Sequence, residues 1–231
     1  MNSPTPIFDN FDTLDNPFHQ KVFHIASFFG RKEAILAADT DYEFSLKFLY
    51  SYIGSSATFS AYRRELERLL QWSWFVRKLP ITGLKREDIE AYVKFARNPP
   101  AAWIGLKNVA RFKQIGGDRK PNPDWRPYVV SINKELVRAG ITPTIEQYEL
   151  SQSALKATFS VLSSFFGYLI QEGVVEANPV ALIRQKSKFI QKEQTQKPIR
   201  RISNLQWDFL KELAQELAEQ NPVKYERSLF I

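Results

Sequence analysis

The 231-residue chain has no cysteine, one methionine and only two histidines. Without cysteine there is no disulfide framework, no thiolate metal site and no thiol nucleophile. His19 and His24 lie near the N-terminus with no other clustered ligand residues, so no metal site is expected. No segment reaches the roughly 18 uninterrupted apolar residues that a membrane-spanning helix needs. The opening MNSPTPIFDNFDTLDN lacks the basic region and apolar run of a secretory leader. A Gly-Lys-Ser/Thr phosphate loop, a Gly-x-Ser-x-Gly elbow and a paired-histidine helix are absent as well. The expectation is a cytoplasmic protein with no metal, no cofactor, no membrane partner and no small-molecule ligand. The acid pairs Glu65/Glu67 and Glu87/Asp88 fall on a helix surface or in a first turn, where a structural role is expected.

What the chain does contain is a core. It is 44% hydrophobic and 25% charged, which fits one or two globular domains. The net charge of +7 is unevenly spread: residues 1–57 hold four Lys/Arg against seven Asp/Glu, and residues 58–231 hold 28 against 18. A basic body of this kind points to a polyanion partner, because Lys and Arg contacts to phosphate release condensed counterions.

The segments divide by pattern. Residues 1–40 carry prolines, acids and scattered phenylalanines, with a helix over HQKVFHIASFFG, and read as an N-terminal arm. A helix over 42–52 is followed by one from Thr58, its expected N-cap, in which Phe59, Tyr62, Leu66, Leu69 and Leu70 repeat at helical spacing. Arg64, Arg68 and Gln71 fall on the opposite face, as a solvated surface or as a contact. A short helix over LKREDIEAYVKFA precedes an irregular insertion, residues 97–130. Within 97–127 it holds seven Lys/Arg, two acids and three glycines, with a hairpin turning at IGGD. Its Trp103, Phe112, Trp125 and Tyr128 read either as an aromatic mini-core or as stacking contacts for nucleic acid. Another short helix, VSINKELVRAG, ends at Gly140.

In the helix that follows, from Ser153, Leu155, Phe159, Leu162, Phe166 and Leu169 line one face. Lys156, Ser160, Ser163 and Gly167 share the other. Gly173 ends it, and Asn178-Pro179 starts a short helix through Arg184. Residues 185–201 form a basic linker with six Lys/Arg and one acid. After it Ser203 caps an amphipathic helix with Leu205, Phe209, Leu213 and Leu217 in register.

Three stretches, ATFSAYRRELERLLQW (57–72), LKATFSVLSSFFGYLIQEGVVEANPVALIR (155–184) and KPIRRISNLQWDFLKELAQ (197–215), occur in the order found in the N-terminal half of tyrosine recombinases, the phage integrase family, and resemble it over roughly half the chain. The resemblance implies an all-α, SAM-like helical bundle spanning 41–184 that binds duplex DNA, alongside other protomers on the DNA. It also implies a catalytic domain beginning at 202–231 and truncated in this chain, and a nucleoid-associated location. The family's Thr-Gly-x-Arg and His-x-x-Arg segments do not occur, so no catalytic residue is assigned and neither Arg227 nor Tyr225 takes such a role.

The helices from Thr58 and Ser153 would then meet the major groove. The residues expected at DNA are Thr58, Arg63, Arg64, Arg68 and Gln71 in the first helix and Lys156, Ser160 and Ser163 in the second. The insertion adds Lys107, Arg111, Lys113, Arg119, Lys120 and Arg126, and the linker adds Lys186, Lys188, Arg200 and Arg201. Two features depart from the family pattern: the second helix offers Ala157, Thr158, Ser163 and Gly167 where arginines are usual, and the insertion is long. The alternative from the residues alone is a helical protein-interaction module with an acidic partner. For the small face of the second helix the choice is between a DNA groove and a neighbouring helix.

Overall fold

Apolar stripes at helical spacing set the framework. In the computed structural model the described residues are 4–10, 38–52, 54–116, 118–132, 138, 140, 142–183, 189 and 203–225. The expected helix over HQKVFHIASFFG, both histidines, most of VSINKELVRAG and the RSLFI end lie outside them. The chain divides into two units, residues 1–191 and 192–231.

The first unit is mostly helical. It contains α1 (Ala38–Tyr50), α2 (Ser56–Trp72), α3 (Arg86–Arg97) and α4 (Gln152–Gln171). Leu66, Leu69 and Leu70 of α2 meet Leu155, Phe159, Leu162, Phe166 and Leu169 of α4 in one core, joined by Ile89, Tyr92 and Val93 of α3. Phe48 of α1 reaches that core through an edge contact with Phe165, ring centroids 5.2 Å apart. The expected apolar stripe of α4 is thus buried at every position. Among the described residues α4 alone is long and apolar enough to span a membrane, and it is the core helix, with eight buried side chains.

Helix ends follow local chemistry. The N-cap of α2 is Ser55, not Thr58: Ser55 is extended at φ −139° and ψ 100°, and its hydroxyl accepts from Thr58 N at 3.4 Å. Thr58 already lies inside the first turn, where its hydroxyl sits 2.9 Å from that of Ser55. Likewise α4 is capped by Ser151, two residues before Ser153, through Ala154 N. It ends at Gly173, whose φ of +69° lets Val174 N return to Leu169 O, the closure that an L side chain resists. Asn178 accepts from Val180 N and Ala181 N, but the described residues after it form a turn, not the expected helix.

The insertion is not wholly irregular, and the fold is not purely α. Strands β1 (Ile104–Gly105) and β4 (Tyr128–Val129) pair in parallel and close the excursion at its base. Between them β2 (Phe112–Ile115) and β3 (Asp118–Pro121) form an antiparallel hairpin at the expected turn, with Ile115 opposite Asp118 and Gly116 at φ +60°. Trp103, Phe112, Trp125 and Tyr128 are all buried, so each serves an aromatic mini-core and none is a free stacking platform.

Residues 4–10 are not a loose arm. Ile7 and Phe8 are buried in the same core as α2 and α4, and the Phe8 ring stacks on Tyr42 at 5.2 Å. At the other end, Phe189 of the linker is buried beside Phe159, and its carbonyl accepts from Arg97. The second unit contains α5 (Asn204–Gln220), capped by Ser203 through Gln206 N at 3.2 Å, and the short α6 (Pro222–Tyr225). The expected stripe of α5 is helical, but Leu205, Phe209 and Leu213 are exposed.

One buried acid links this packing to pH. Asp41 of α1 is 1% exposed and accepts from Trp74 Nε1 at 2.8 Å and Ile81 N at 3.0 Å. Burial pushes its carboxyl up from 3.8 to about 6, partly opposed by these two bonds. The folded state therefore holds this proton more tightly than the unfolded chain, so stability from this group falls as pH rises from about 4 to 6. The expected contribution is up to about 3 kcal/mol, and Asp41→Asn should flatten the urea-denaturation pH profile over that window. An unchanged profile would contradict it.

Candidate nucleic-acid interface

Helix α2 was expected to pack one face and present the other; the structure wraps it instead. Glu65 and Glu67 are 2% and 1% exposed, and each organises a network. Glu65 accepts from Arg64 Nε at 2.9 Å and Arg68 Nη1 at 3.1 Å on its own helix, and from Thr158 Oγ1 of α4 at 2.9 Å. This carboxylate ties the two expected DNA-facing helices together. Glu67 pairs with Arg111 of the insertion and accepts from the backbone N–H groups of Ile7 and Phe8. Buried carboxylates need partners of this kind, and here they come from segments distant in sequence.

Several expected DNA contacts are therefore corrected. Arg63 is buried, donating to Asp9 O and Asn10 Oδ1; burial pulls its guanidinium down to about 10 against the opposing charge of Asp9, so it stays protonated at neutral pH. Gln71 is fully buried, and its Nε2 donates to Thr5 O at 2.9 Å. Arg68 lies over the Tyr128 ring at 4.7 Å and donates to Pro127 O at 2.8 Å. Arg111 stacks on Trp125 at 4.7 Å and donates to Phe8 O. Arg119 grips the Asp9 carboxylate with two donors and covers Phe112. Thr58 is half-buried on Ser55, and Arg126 turns its guanidinium back onto Pro123 O and Trp125 O. Arg63, Gln71, Arg68, Arg111 and Arg119 spend donors inside the protein, so reaching a phosphate would leave an acceptor of the body unpaired, whereas the bonds of Thr58 to Ser55 and of Arg126 to Pro123 O are exposed at the surface.

Other expected residues face out. Arg64 is the outward cation of α2, with its side chain 50% exposed. On α4, Lys156 and Ser160 are exposed, and a Cβ built at Gly167 would meet no atom within 4 Å. The small face of α4 is thus open and not packed on a neighbouring helix among the described residues. Ser163 is half-buried and accepts from Asn178 Nδ2 through both its carbonyl, at 2.9 Å, and its hydroxyl, at 3.3 Å, which fixes the turn after α4. In the insertion Lys107, Lys113 and Lys120 are exposed, Lys113 pairing with Asp124 at 2.9 Å. Lys186, Lys188, Arg200 and Arg201 lie outside the described residues.

The two acids of α2 are both buried and α4 has none, so the outer surfaces of these helices display Arg64 and Lys156 with no exposed carboxylate of their own. Among the described residues no group of three or more His, Asp or Glu gathers as a metal site. Comparisons with protein-family models, curated proteins and solved structures give no match.

Sequence reasoning passed over Asp9, and it placed Glu65 and Glu67 on a helix surface and Thr158 on the DNA-facing helix, where the structure buries all three. Their signal was present but weak. A helix whose arginines alternate with acids, Arg63-Arg64-Glu65-Leu66-Glu67-Arg68, fits internal pairing as well as solvent.

Proposed function

We propose that this chain binds duplex DNA as the core-binding part of a tyrosine-type site-specific recombinase and cuts no strand itself. One observation carries the reading: the acid-free outer surface of α2 and α4, where Arg64 and Lys156 are exposed while Glu65 and Glu67 are turned inward. A surface so arranged attracts phosphate without local repulsion. Lys156 and Arg64 would pair with phosphate oxygens, and Ser160 would donate its hydroxyl to one. The open space at Gly167 would let the backbone of α4 approach the duplex closely.

In this reading the first unit is the SAM-like bundle, the insertion is a structural collar with a cationic rim, and α5 opens the catalytic domain. The resemblance of the three stretches in order supports it. The test is a mobility-shift assay on duplex DNA at low and high salt. Retardation at low salt that fades as salt rises is expected; no retardation at low salt would sink the reading. A second reading, a helical module that docks a protein, is favoured by the apolar face of α5, where Leu205 is 82% and Phe209 63% exposed.

A further inference from the structure

Residues 4–10 are held as a ligand would be held. They belong to no helix or strand, and among the described residues no backbone–backbone hydrogen bond reaches them. Side chains of the body do the holding instead. Three of these, Arg63, Glu67 and Gln71, stand four residues apart on α2 and so form one strip along it. Gln71 Nε2 donates to Thr5 O at 2.9 Å, Glu67 Oε1 accepts from Ile7 N and Phe8 N, and Arg63 Nη1 donates to Asp9 O. Backbone groups at residues 5, 7 and 9 thus meet side chains at every fourth residue of the helix. The register has a simple cause: four helical residues rise about 6 Å, and two residues of extended chain span about 6.6 Å. The strip therefore fits the backbone of an extended segment whatever its side chains.

The insertion supplies a second wall and the side-chain specificity. Arg111 Nε donates to Phe8 O at 3.1 Å, and Arg119 closes on the Asp9 carboxylate with two donors, one of them at 2.7 Å. Ile7 and Phe8 are buried, with the Phe8 ring stacked on Tyr42. The groove thus asks for an apolar residue, an aromatic one and an acid in succession. Residues 4–10 do not satisfy it fully: Gln71 Oε1 and Arg63 Nε are buried on the strip without a hydrogen-bond partner among the described residues. Pro6, between the anchored Thr5 and Ile7, has no N–H to offer. A segment of the same pattern that pairs these two atoms would bind more tightly.

We infer that α2 and the insertion form a peptide-binding groove in which residues 4–10 are an exchangeable occupant, and that its ligand is an extended segment of a partner protein with the pattern apolar-Phe-Asp. A second copy of the chain is a poor ligand. Residues 11–37 tether the occupant to α1, and a tether of such length holds it at a local concentration on the order of millimolar. A second copy at micromolar concentration offers the same segment and does not displace it, whereas a tighter partner segment does. The groove is separate from the proposed DNA face: Arg63, Glu67, Gln71, Arg111 and Arg119 line it, and Arg64, Lys156 and Ser160 do not.

The test uses the full chain carrying Phe8→Ala, which loosens the tethered occupant and leaves both walls intact. A fluorescein-labelled peptide of residues 3–12 should bind this variant roughly tenfold or more tighter than it binds the wild type, read by anisotropy. The same peptide should raise the variant's melting temperature as its concentration rises. Asp9→Ala in the peptide should weaken binding roughly tenfold, and Arg119→Ala added to the protein should do the same with no further loss when the two are combined. In the wild type the Ile7 and Phe8 amides should exchange with deuterium roughly tenfold or more faster than the Leu162 and Phe166 amides of α4; this measurement decides the matter if Phe8→Ala does not fold. Sedimentation of the wild type should give a monomer. Equal exchange rates would make residues 4–10 a fixed part of the fold, and a folded Phe8→Ala chain that ignores the peptide would have no groove; either result overturns the assignment. A wild-type dimer dispersed by the peptide would make a second copy the occupant and overturn the partner protein.

Discussion

Glu67→Ala is expected to destabilise the first unit by about 3–5 kcal/mol, the range seen when one partner of a buried ion pair is removed. The substitution leaves Arg111, a guanidinium with only 12% of its side chain accessible, without its carboxylate. It also strips the acceptor from the N–H groups of Ile7 and Phe8. For a unit of this size the melting temperature should fall by about 10 °C. A second substitution sharpens the test: in the Glu67→Ala background, Arg111→Met removes the orphaned charge while keeping apolar bulk over Trp125, and should recover part of the loss. Thermal melts of the four proteins in this cycle measure the coupling. A loss below about 1 kcal/mol for Glu67→Ala would mean that the pair is exposed and that residues 4–10 are not anchored on α2.

Phe8→Ala should cost about as much, roughly 3–5 kcal/mol, for a different reason. Phe8 is fully buried, stacks on Tyr42 with an interplanar angle of 9°, and belongs to the core cluster that includes Leu66 and Leu70. Truncating it leaves a cavity walled by helices that are fixed by their own packing, so collapse is limited. Urea denaturation measures the effect. A change within about 0.5 kcal/mol is what a surface residue would give, and it would restore the view of residues 4–10 as an arm outside the fold.

The two substitutions probe what the sequence did not make legible. Helical spacing placed the apolar stripes of α2 and α4 correctly, because a 3.6-residue period is a local property. The same period says which side of α2 is apolar and nothing about what covers the other side. That cover comes from Asp9, 54 residues before Arg63, and from Arg111, 44 residues after Glu67, and no local pattern encodes such pairings. Hence Arg63, Arg68, Gln71, Arg111 and Arg119 looked like contacts and are internal. The insertion was half legible: its hairpin followed from Gly116 and its neighbours, and its aromatic content signalled order. Whether those aromatics faced the body or a ligand needed the fold.

The small face of α4 went the other way. Two alternatives stood open for Ser160 and Gly167, a groove and a helix, and among the described residues no helix packs there. Ser163 instead serves the turn through Asn178. A face of small residues with one lysine is poor in charge, so affinity in this reading leans on Arg64 and the insertion's lysines, with α4 supplying close approach.

The separation of inward from outward arginines is the most direct point of test. Salt-dependent binding to duplex DNA should be measured for the wild type, for Arg64→Ala/Lys156→Ala and for Arg68→Ala, together with their melting temperatures. The outward pair should lower the salt slope by about two and cost less in melting than Arg68→Ala, because loss of the half-exposed Arg64 leaves Glu65 with Arg68 and Thr158 as partners. Arg68→Ala should lower the melting temperature further, because it removes the less exposed of Glu65's two cations together with the bond to Pro127 O and the cover over Tyr128, and should leave the slope of the folded protein unchanged. The opposite pattern, a slope that falls with Arg68→Ala and stays fixed without Arg64 and Lys156, would contradict the proposed DNA-binding face.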